Sequence, residues 1–351
     1  MKQHLSEKGI SFLYGGLYLV CCIGLVFAGL LGFRDTSHGT SEKNHVASEH
    51  STKTASGSSI HDTGNSSGLM KEEVDLCGHT PTEFCYNEVD NSLSMIEEKN
   101  KKFSLYQLSE NGTWKHTATW KCKKNQTLSL FTYGSDGTLY GCLKTYRKKC
   151  FSSQQLVRLK KDSMKTVSLK KIGSKEICDL QFAGTSLALT FSDRSVKFYN
   201  INEKMALGDT HIRGASGQNL LYDKHYLTIH KDDNSGQLLL TEYDIQIGDA
   251  LRSFALGKAT ENRDEAYLSH YHGTLYLLTS SGLFAGNFKD SSLTKQCSFP
   301  EPDFSSEQKI SYFQAARDQT LFYAWNDGTM HLIRGVLVEK EKDSVEILEK
   351  L

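Results

Sequence analysis

The chain has 351 residues, with 41 Lys and Arg against 41 Asp and Glu, and therefore carries no formal net charge at neutral pH. The lack of a basic excess argues against nucleic acid as a partner, because domains that bind nucleic acid are strongly basic. With 28 Gly, only 3 Pro, 16 Tyr and 17 Phe, the composition favours strands joined by Gly-, Asn-, Asp- and Ser-based turns.

An uncharged apolar run comes first in the chain, from Phe12 to Phe33. About 22 residues at roughly 1.5 Å each would cross the ~30 Å hydrocarbon core of a membrane as one helix. Lys2 and Lys8 precede the run, so we predict a short cytoplasmic N-terminus, residues 1–11, and a folded domain on the other side. A cleavable signal peptide is the rival interpretation, because Val26 to Ala28 is an acceptable cleavage pattern.

Residues 34–75 follow as a Ser-, Thr- and His-rich segment, with almost no large apolar side chain before Gly68. Such a segment cannot bury enough apolar surface to offset the entropy of ordering it. We therefore predict a disordered linker that holds the folded domain away from the membrane. Its His residues are irregularly spaced, which favours a polar spacer over a metal site.

Residues 76–351 change to short strands that recur. Six β-favouring runs each carry a Leu at the same place, spaced 40 to 48 residues apart: Leu93, Leu139, Leu187, Leu227, Leu275 and Leu321. A return strand follows each run, and another strand usually precedes it. This pattern is typical of β-propeller blades, because radial stacking buries the sheet faces and ring closure removes the open ends.

We therefore predict an all-β, six-bladed β-propeller. The clearest copy of the unit is the hairpin from His272 to Phe288, with a turn at Ser280 to Gly282. Three alternatives stay open: a seventh blade, a blade shared by the two ends of the chain, and a pair of β-sandwiches. The segments Gly335–Val338 and Val345–Leu348 are candidates for an outer strand.

The motif Gly-Thr-Leu-Tyr occurs at Gly137–Tyr140 and again at Gly273–Tyr276. Over roughly residues 80 to 340 the chain resembles the extracytoplasmic propellers with degenerate YVTN- or PQQ-like repeats. It has neither the Trp-Asp dipeptide that closes WD40 blades nor an Asp-box. The resemblance implies an architecture and transfers no functional residue.

Of the nine Cys, two lie in the predicted anchor and seven beyond it. Disulfides persist outside the cytoplasm, so we predict a bridge between Cys142 and Cys150, which flank a long hairpin loop at Leu143–Lys149. Cys77 and Cys85 are similarly spaced and form a second predicted pair. Zinc is the competing interpretation, but the sequence has no Cys-x-x-Cys pair, and we expect no metal.

Four His are the candidate ligand-binding residues, because propellers place their sites at the central channel or on the loops of one face. His270 and His272 end a predicted innermost strand, and His225 and His230 bracket another strand. Imidazoles there would serve as ligands or as acid–base groups. The alternative, that they are turn and surface residues, stays open.

A basic patch is predicted at Lys144, Arg147, Lys148 and Lys149. Such a patch would attract an anionic partner, or it would be a solvated blade edge on which Lys prevents strand pairing between molecules.

These features predict a membrane-anchored, extracytoplasmic propeller that binds a protein or cell-envelope partner or another ligand, without a cofactor. We assign no catalytic residue. Two alternatives stay open: an envelope sensor or assembly factor, and a hydrolase or lyase with its site at the channel mouth. The enzyme would need polar side chains from three or more blades to converge.

Overall fold

A computed structural model describes residues 68–169, 172–212, 219–232, 237–255, 266–279, 282–287, 293–297 and 310–338. These residues form 24 β-strands and no helix. The strands assemble into six four-stranded antiparallel sheets, most of them built from four strands in chain order.

The first strand, β1 (Gly68–Glu73), precedes the first sheet. The sheets of blades one to three then follow in order: β2 (Pro81–Asn87), β3 (Ser92–Lys99), β4 (Lys102–Leu108) and β5 (Trp114–Lys121); β6 (Gln126–Tyr133), β7 (Leu139–Arg147), β8 (Cys150–Lys160) and β9 (Ser163–Thr166); β10 (Ile177–Ala183), β11 (Ser186–Phe191), β12 (Ser195–Asn200) and β13 (Met205–His211).

Blades four to six complete the chain: β14 (Leu220–Tyr222), β15 (His225–Lys231), β16 (Leu238–Asp244) and β17 (Ala250–Ala255); β18 (Tyr267–Tyr271), β19 (Thr274–Thr279), β20 (Gly282–Asn287) and β21 (Thr294–Cys297); β22 (Ile310–Ala315), β23 (Thr320–Asn326) and β24 (Met330–Val338), which pairs with β1.

The first strand of each sheet contacts the first strand of the next, in the order β2, β6, β10, β14, β18 and β22, and β22 contacts β2 again. The six sheets are therefore the blades of a closed ring. The prediction of a six-bladed β-propeller is confirmed. The described residues form six sheets, with neither a seventh sheet nor a pair of β-sandwiches among them.

The six anchor Leu all lie in the second strand of a blade, and each is at most 5% exposed. A second strand is covered on both faces by neighbouring blades. In β11, for example, the five residues after Ser186 are all buried. This double burial explains why these strands appear in the sequence as continuous apolar runs.

The hydrophobic core is divided among the blade interfaces. Six clusters of buried side chains each join two successive blades. Between blades one and two, the rings of Phe103 and Phe131 lie 6.2 Å apart. Between blades three and four, Phe198 and Tyr226 lie 5.4 Å apart.

Blade six is shared by the two ends of the domain. Strand β1 pairs antiparallel with β24, from Gly68 opposite Val338 to Glu73 opposite Ile333, and is the outermost strand. The prediction that residues 68–73 belong to a disordered linker is therefore wrong. Only two large apolar residues, Leu69 and Met70, mark the strand, and its stability comes from an existing sheet edge.

Among the described residues, no helix is long and apolar enough to cross a membrane. The predicted anchor Phe12–Phe33, the predicted cytoplasmic residues 1–11 and residues 34–67 of the predicted linker lie outside the described residues, as does the candidate strand Val345–Leu348.

Candidate functional site

The six innermost strands surround a central channel. A cavity of about 800 Å³, which we call the wide cavity, is lined by residues of these strands and of the turn after β11. The last residues of the innermost strands enclose a second cavity of about 470 Å³, which we call the channel mouth. The two cavities share Tyr86, Thr132, Gln181 and Gln314 and therefore adjoin. All six blades contribute to each cavity.

Glu83 extends from β2 of blade one to the backbone of blade two. Its carboxylate accepts hydrogen bonds from the backbone N–H groups of Leu130, at 3.0 Å, and Phe131, at 2.8 Å. Both N–H groups are available because β6 bulges here and Leu130 has a φ of 58°. Burial raises the pKa of the Glu83 carboxyl, while the two hydrogen bonds and the nearby Lys144 act in the opposite direction.

Asp179 lies on β10 of blade three and faces the same wide cavity. It accepts hydrogen bonds from the backbone N–H of Leu180, at 2.8 Å, and from the amides of Gln181, at 3.2 Å, and Asn219, at 3.4 Å. Burial raises the pKa of its carboxyl against the effect of these three bonds. Within the described part of the chain, neither Asp179 nor Glu83 forms an ion pair with a basic side chain.

Two buried polar oxygens in the wide cavity have no hydrogen-bond partner among the described residues: Oδ1 of Asn219 and the hydroxyl of Tyr312. Asn219 is only 6% exposed. Because unpaired buried polar atoms are rare and costly, these two positions are where a ligand or water would bind.

His270 is the one predicted His that lines the channel mouth. Its Nε2 accepts a hydrogen bond from the backbone N–H of Gly273, at 2.8 Å, and its ring packs on Tyr222 with centroids 4.2 Å apart. Burial, followed by the charge of His272, lowers the pKa of His270 to about 4. His270 is therefore neutral near pH 7, and its Nε2 lone pair is already used to hold the turn between β18 and β19.

The other three predicted His lie elsewhere. His272 is exposed in the turn after β18, and its ring lies tilted against that of Tyr271 with centroids 4.3 Å apart. On β15, the second strand of blade four, His225 Nδ1 lies 2.8 Å from a buried carboxylate oxygen of Glu242, and His230 is buried. The structure therefore does not bring the four His together, and their role in ligand binding stays a prediction.

The described residues contain no group of three or more His, Cys, Asp or Glu side chains arranged to hold a metal ion.

Both predicted disulfides are wrong, because Cys142, Cys150, Cys77 and Cys85 are free thiols. Strand β7 continues to Arg147, which lies opposite Cys150, and Lys148 and Lys149 alone form the turn with φ of 50° and 68°. Cys142 and Cys150 are thus roughly 17 Å apart along the strand, against the ~7 Å limit for Cα atoms in a disulfide.

The second predicted pair is separated by burial. Cys85 packs in the cluster between blades one and two, whereas Cys77 is exposed in the segment before β2.

The predicted basic patch is also divided. Lys144 is 9% exposed, and its Nζ lies 2.8 Å from a carboxylate oxygen of Glu176, so its charge is paired at the junction with blade three. Arg147, Lys148 and Lys149 remain exposed at the β7–β8 turn. The four residues therefore do not form one surface.

Four polar residues of the innermost strands were not among the predicted site residues: Glu83, Asp179, Gln181 and Gln314. The sequence does mark them, since each is a polar residue within a strand that precedes an anchor Leu. Asp179 and Gln181, for example, lie within Ile177–Ala183. Attention to non-repeating polar residues of any type, and not only to His, would have found them.

Comparison with known proteins identifies no family. No family model and no curated protein matches the chain. The C-terminal WD40 domain of Sif2 is similar in structure with a TM-score of 0.43 and 10% identity, over 78% of this chain and 99% of that domain. The WD40 domain of coronin from Toxoplasma gondii has a TM-score of 0.46 and 9% identity, over 83% of this chain and 90% of that domain.

Proposed function

We propose that this protein is a non-catalytic binding module: a membrane-tethered, extracytoplasmic propeller that receives a ligand or partner segment at its channel mouth. The observation that carries the proposal is the contribution of all six blades to that mouth. A site of this kind needs the closed ring, so the architecture itself supports binding at the channel.

The chemistry of the channel favours binding over catalysis. Glu83 and Asp179 hold backbone and amide N–H groups, and His270 holds the N–H of Gly273. A general base needs a partner group and a substrate position arranged for proton transfer, whereas these hydrogen bonds fix each carboxylate and the His270 ring to the surrounding backbone and amide groups.

The tether is proposed from the sequence. The apolar run Phe12–Phe33 has the length of a membrane span, and Lys2 and Lys8 favour a cytoplasmic N-terminus. We expect the full chain to remain in the membrane pellet after alkaline carbonate extraction and to keep its N-terminus. Release into the supernatant, or a mature chain that begins just after Ala28, would contradict the tether.

Site-specific photo-crosslinking in the native membrane tests the binding site. Lys224 borders the mouth, and Lys165 lies on the outer strand β9; both are exposed, which makes them a matched pair for a photoreactive amino acid. We expect covalent adducts at position 224 at several times the yield at position 165. Equal yields, or adducts at position 165 alone, would show that the mouth is not the binding surface.

A further inference from the structure

We propose that the wide cavity binds a primary ammonium group, with Asp179, Glu83 and Oδ1 of Asn219 as its acceptors. The inference rests on the proposed function, because it names the chemistry that the channel recognises.

The first support is the pair of buried carboxylates, neither of which forms a direct ion pair with a basic side chain of the described residues. Two carboxylates from blades one and three line one cavity, and their hydrogen-bond donors are all neutral amide groups. A buried charge without a direct ion-pair partner is unfavourable, and a cationic ligand would provide that partner. Burial raises the pKa of both carboxyls, so a cation bound beside them would stabilise their ionised forms.

The second support is independent of charge. Oδ1 of Asn219 is an acceptor on a side chain that is 6% exposed, and it has no partner among the described residues. The Nδ2 of the same amide contacts Asp179 at 3.4 Å, so the unpaired oxygen lies beside a carboxylate. An ammonium group donates three hydrogen bonds and accepts none, which matches a site whose open positions are acceptors.

The walls of the cavity fit the remainder of an alkylamine. A volume of about 800 Å³ is in the range of small-molecule sites. The rings of Phe84 and Tyr312, 5.7 Å apart, offer apolar and π surface to methylene and ammonium groups. Arg194 is exposed and lines the same cavity, so it disfavours a second positive charge. The site is therefore expected to prefer a monoamine to a diamine.

Isothermal titration of the full chain in detergent tests the site with butylamine as the probe. We expect saturable binding of butylamine, weaker binding of 1,4-diaminobutane, and no binding of 1-butanol, which has the same shape without the charge. Equal binding of butylamine and 1-butanol, or no binding of butylamine, would overturn the proposal.

Variants assign the binding to the named residues. We expect Asp179→Asn to weaken butylamine binding by at least tenfold and Asn219→Ala by several-fold. Asp162→Asn, which removes the same charge at the exposed β8–β9 turn, should leave binding unchanged. If Asp179→Asn does not fold by circular dichroism, Glu83→Gln carries the test. An equal loss in Asp162→Asn would show a nonspecific charge effect and contradict the site.

Two further comparisons complete the test. One distinguishes a lysine of a partner from a free amine, and the other distinguishes failure of the ammonium site from failure of the binding module. Binding of N-acetyl-lysine methylamide at least as tight as that of butylamine points to a lysine of a partner, and binding of butylamine alone points to a free amine. Crosslinking at Lys224 without amine binding refutes the ammonium site and leaves the binding module standing. Amine binding without such crosslinking contradicts binding at the channel mouth and leaves the ammonium site standing.

Discussion

Asp179 illustrates, at the scale of a single residue, how a binding site costs stability. Its folded-state pKa lies above the ordinary value of 3.8 because the carboxyl is buried. A raised pKa means that the stabilising contribution is present below the unfolded pKa and is lost as the pH rises through the folded pKa. At neutral pH the ionised carboxylate therefore destabilises the ligand-free protein.

We expect Asp179→Asn to raise the free energy of unfolding at pH 7 by roughly 1–2 kcal/mol, because burying a neutral amide costs less free energy than burying an ionised carboxylate. Asn can keep the bond from Leu180, and the amide of Asn219 can rotate to accept from it. Thermal unfolding between pH 4 and pH 7 measures the effect, and the variant should lose part of the slope of the wild type. A variant that is less stable at pH 7, with an unchanged slope, would contradict this reading of the site.

His331 also gives a stability that falls as the pH rises. Here, however, the charged form of the side chain stabilises the fold, because it pairs β24 with β1 in blade six. Its Nδ1 lies 2.9 Å from a carboxylate oxygen of Glu73 on β1, and its Nε2 lies 3.3 Å from Asp327. The hydrogen bond to Glu73 is the main cause that raises the pKa of His331 above 6.5. The gain in stability is therefore full below pH 6.5 and is lost as the pH rises through the folded pKa.

We expect His331→Gln to lower the melting temperature at pH 5.5 and to have little effect at pH 8. The difference should be a few tenths of a kcal/mol up to about 1 kcal/mol, because the pair is partly solvated. His116→Gln on the outer strand β5 is the control, because it removes an exposed imidazole that has no contact with β1. Equal effects of the two substitutions at both pH values would count against an ion pair between β24 and β1.

At the scale of elements, β1 completes blade six and joins the two ends of the domain. Leu69 packs into the cluster of blades five and six and lies so close to Gly335 that a Cβ there would be 2.9 Å from Leu69 Cδ1. Met70, the next residue, is 65% exposed. The two side chains therefore point to opposite faces of one strand, as the period of two requires.

We expect Leu69→Asp to destabilise the propeller by about 2–4 kcal/mol, because it removes apolar burial and places a charge against the core cluster of blades five and six. Met70→Asp is the matched control and should cost less than about 0.5 kcal/mol. Urea unfolding followed by tryptophan fluorescence measures both. If the two substitutions lower the free energy of unfolding equally, β1 does not complete blade six in solution.

The sequence allowed the second strands to be predicted and left β1 out, and burial explains both results. Anchor strands such as β11 are buried on both faces, so their apolar pattern is continuous and repeats with the blades. In strand β1 only the first two residues are half-buried, and the other four are exposed. The strand is stabilised by pairing with β24, whose paired residues lie 260 to 270 positions later in the chain. The residues of β1 alone therefore do not predict that this segment is a strand.

At the scale of the whole molecule, the number of blades was predictable and the channel chemistry was not. The spacing of the repeated Leu predicts the number of blades, because every blade packs against its neighbours in the same way. The site depends instead on residues that do not repeat, such as Glu83 on blade one and Asp179 on blade three. Only ring closure brings them to one cavity, so their sequence separation of nearly a hundred residues gave no indication of it.

Hydrogen exchange of the full chain, with and without saturating butylamine, tests most directly whether the channel is the binding site. The amides of Leu130, Phe131 and Leu180 donate to the two channel carboxylates and should exchange more slowly when the ligand is bound. The outer strand β9 should be unaffected. Slower exchange confined to outer strands, or unchanged exchange at these three amides, would contradict binding in the channel.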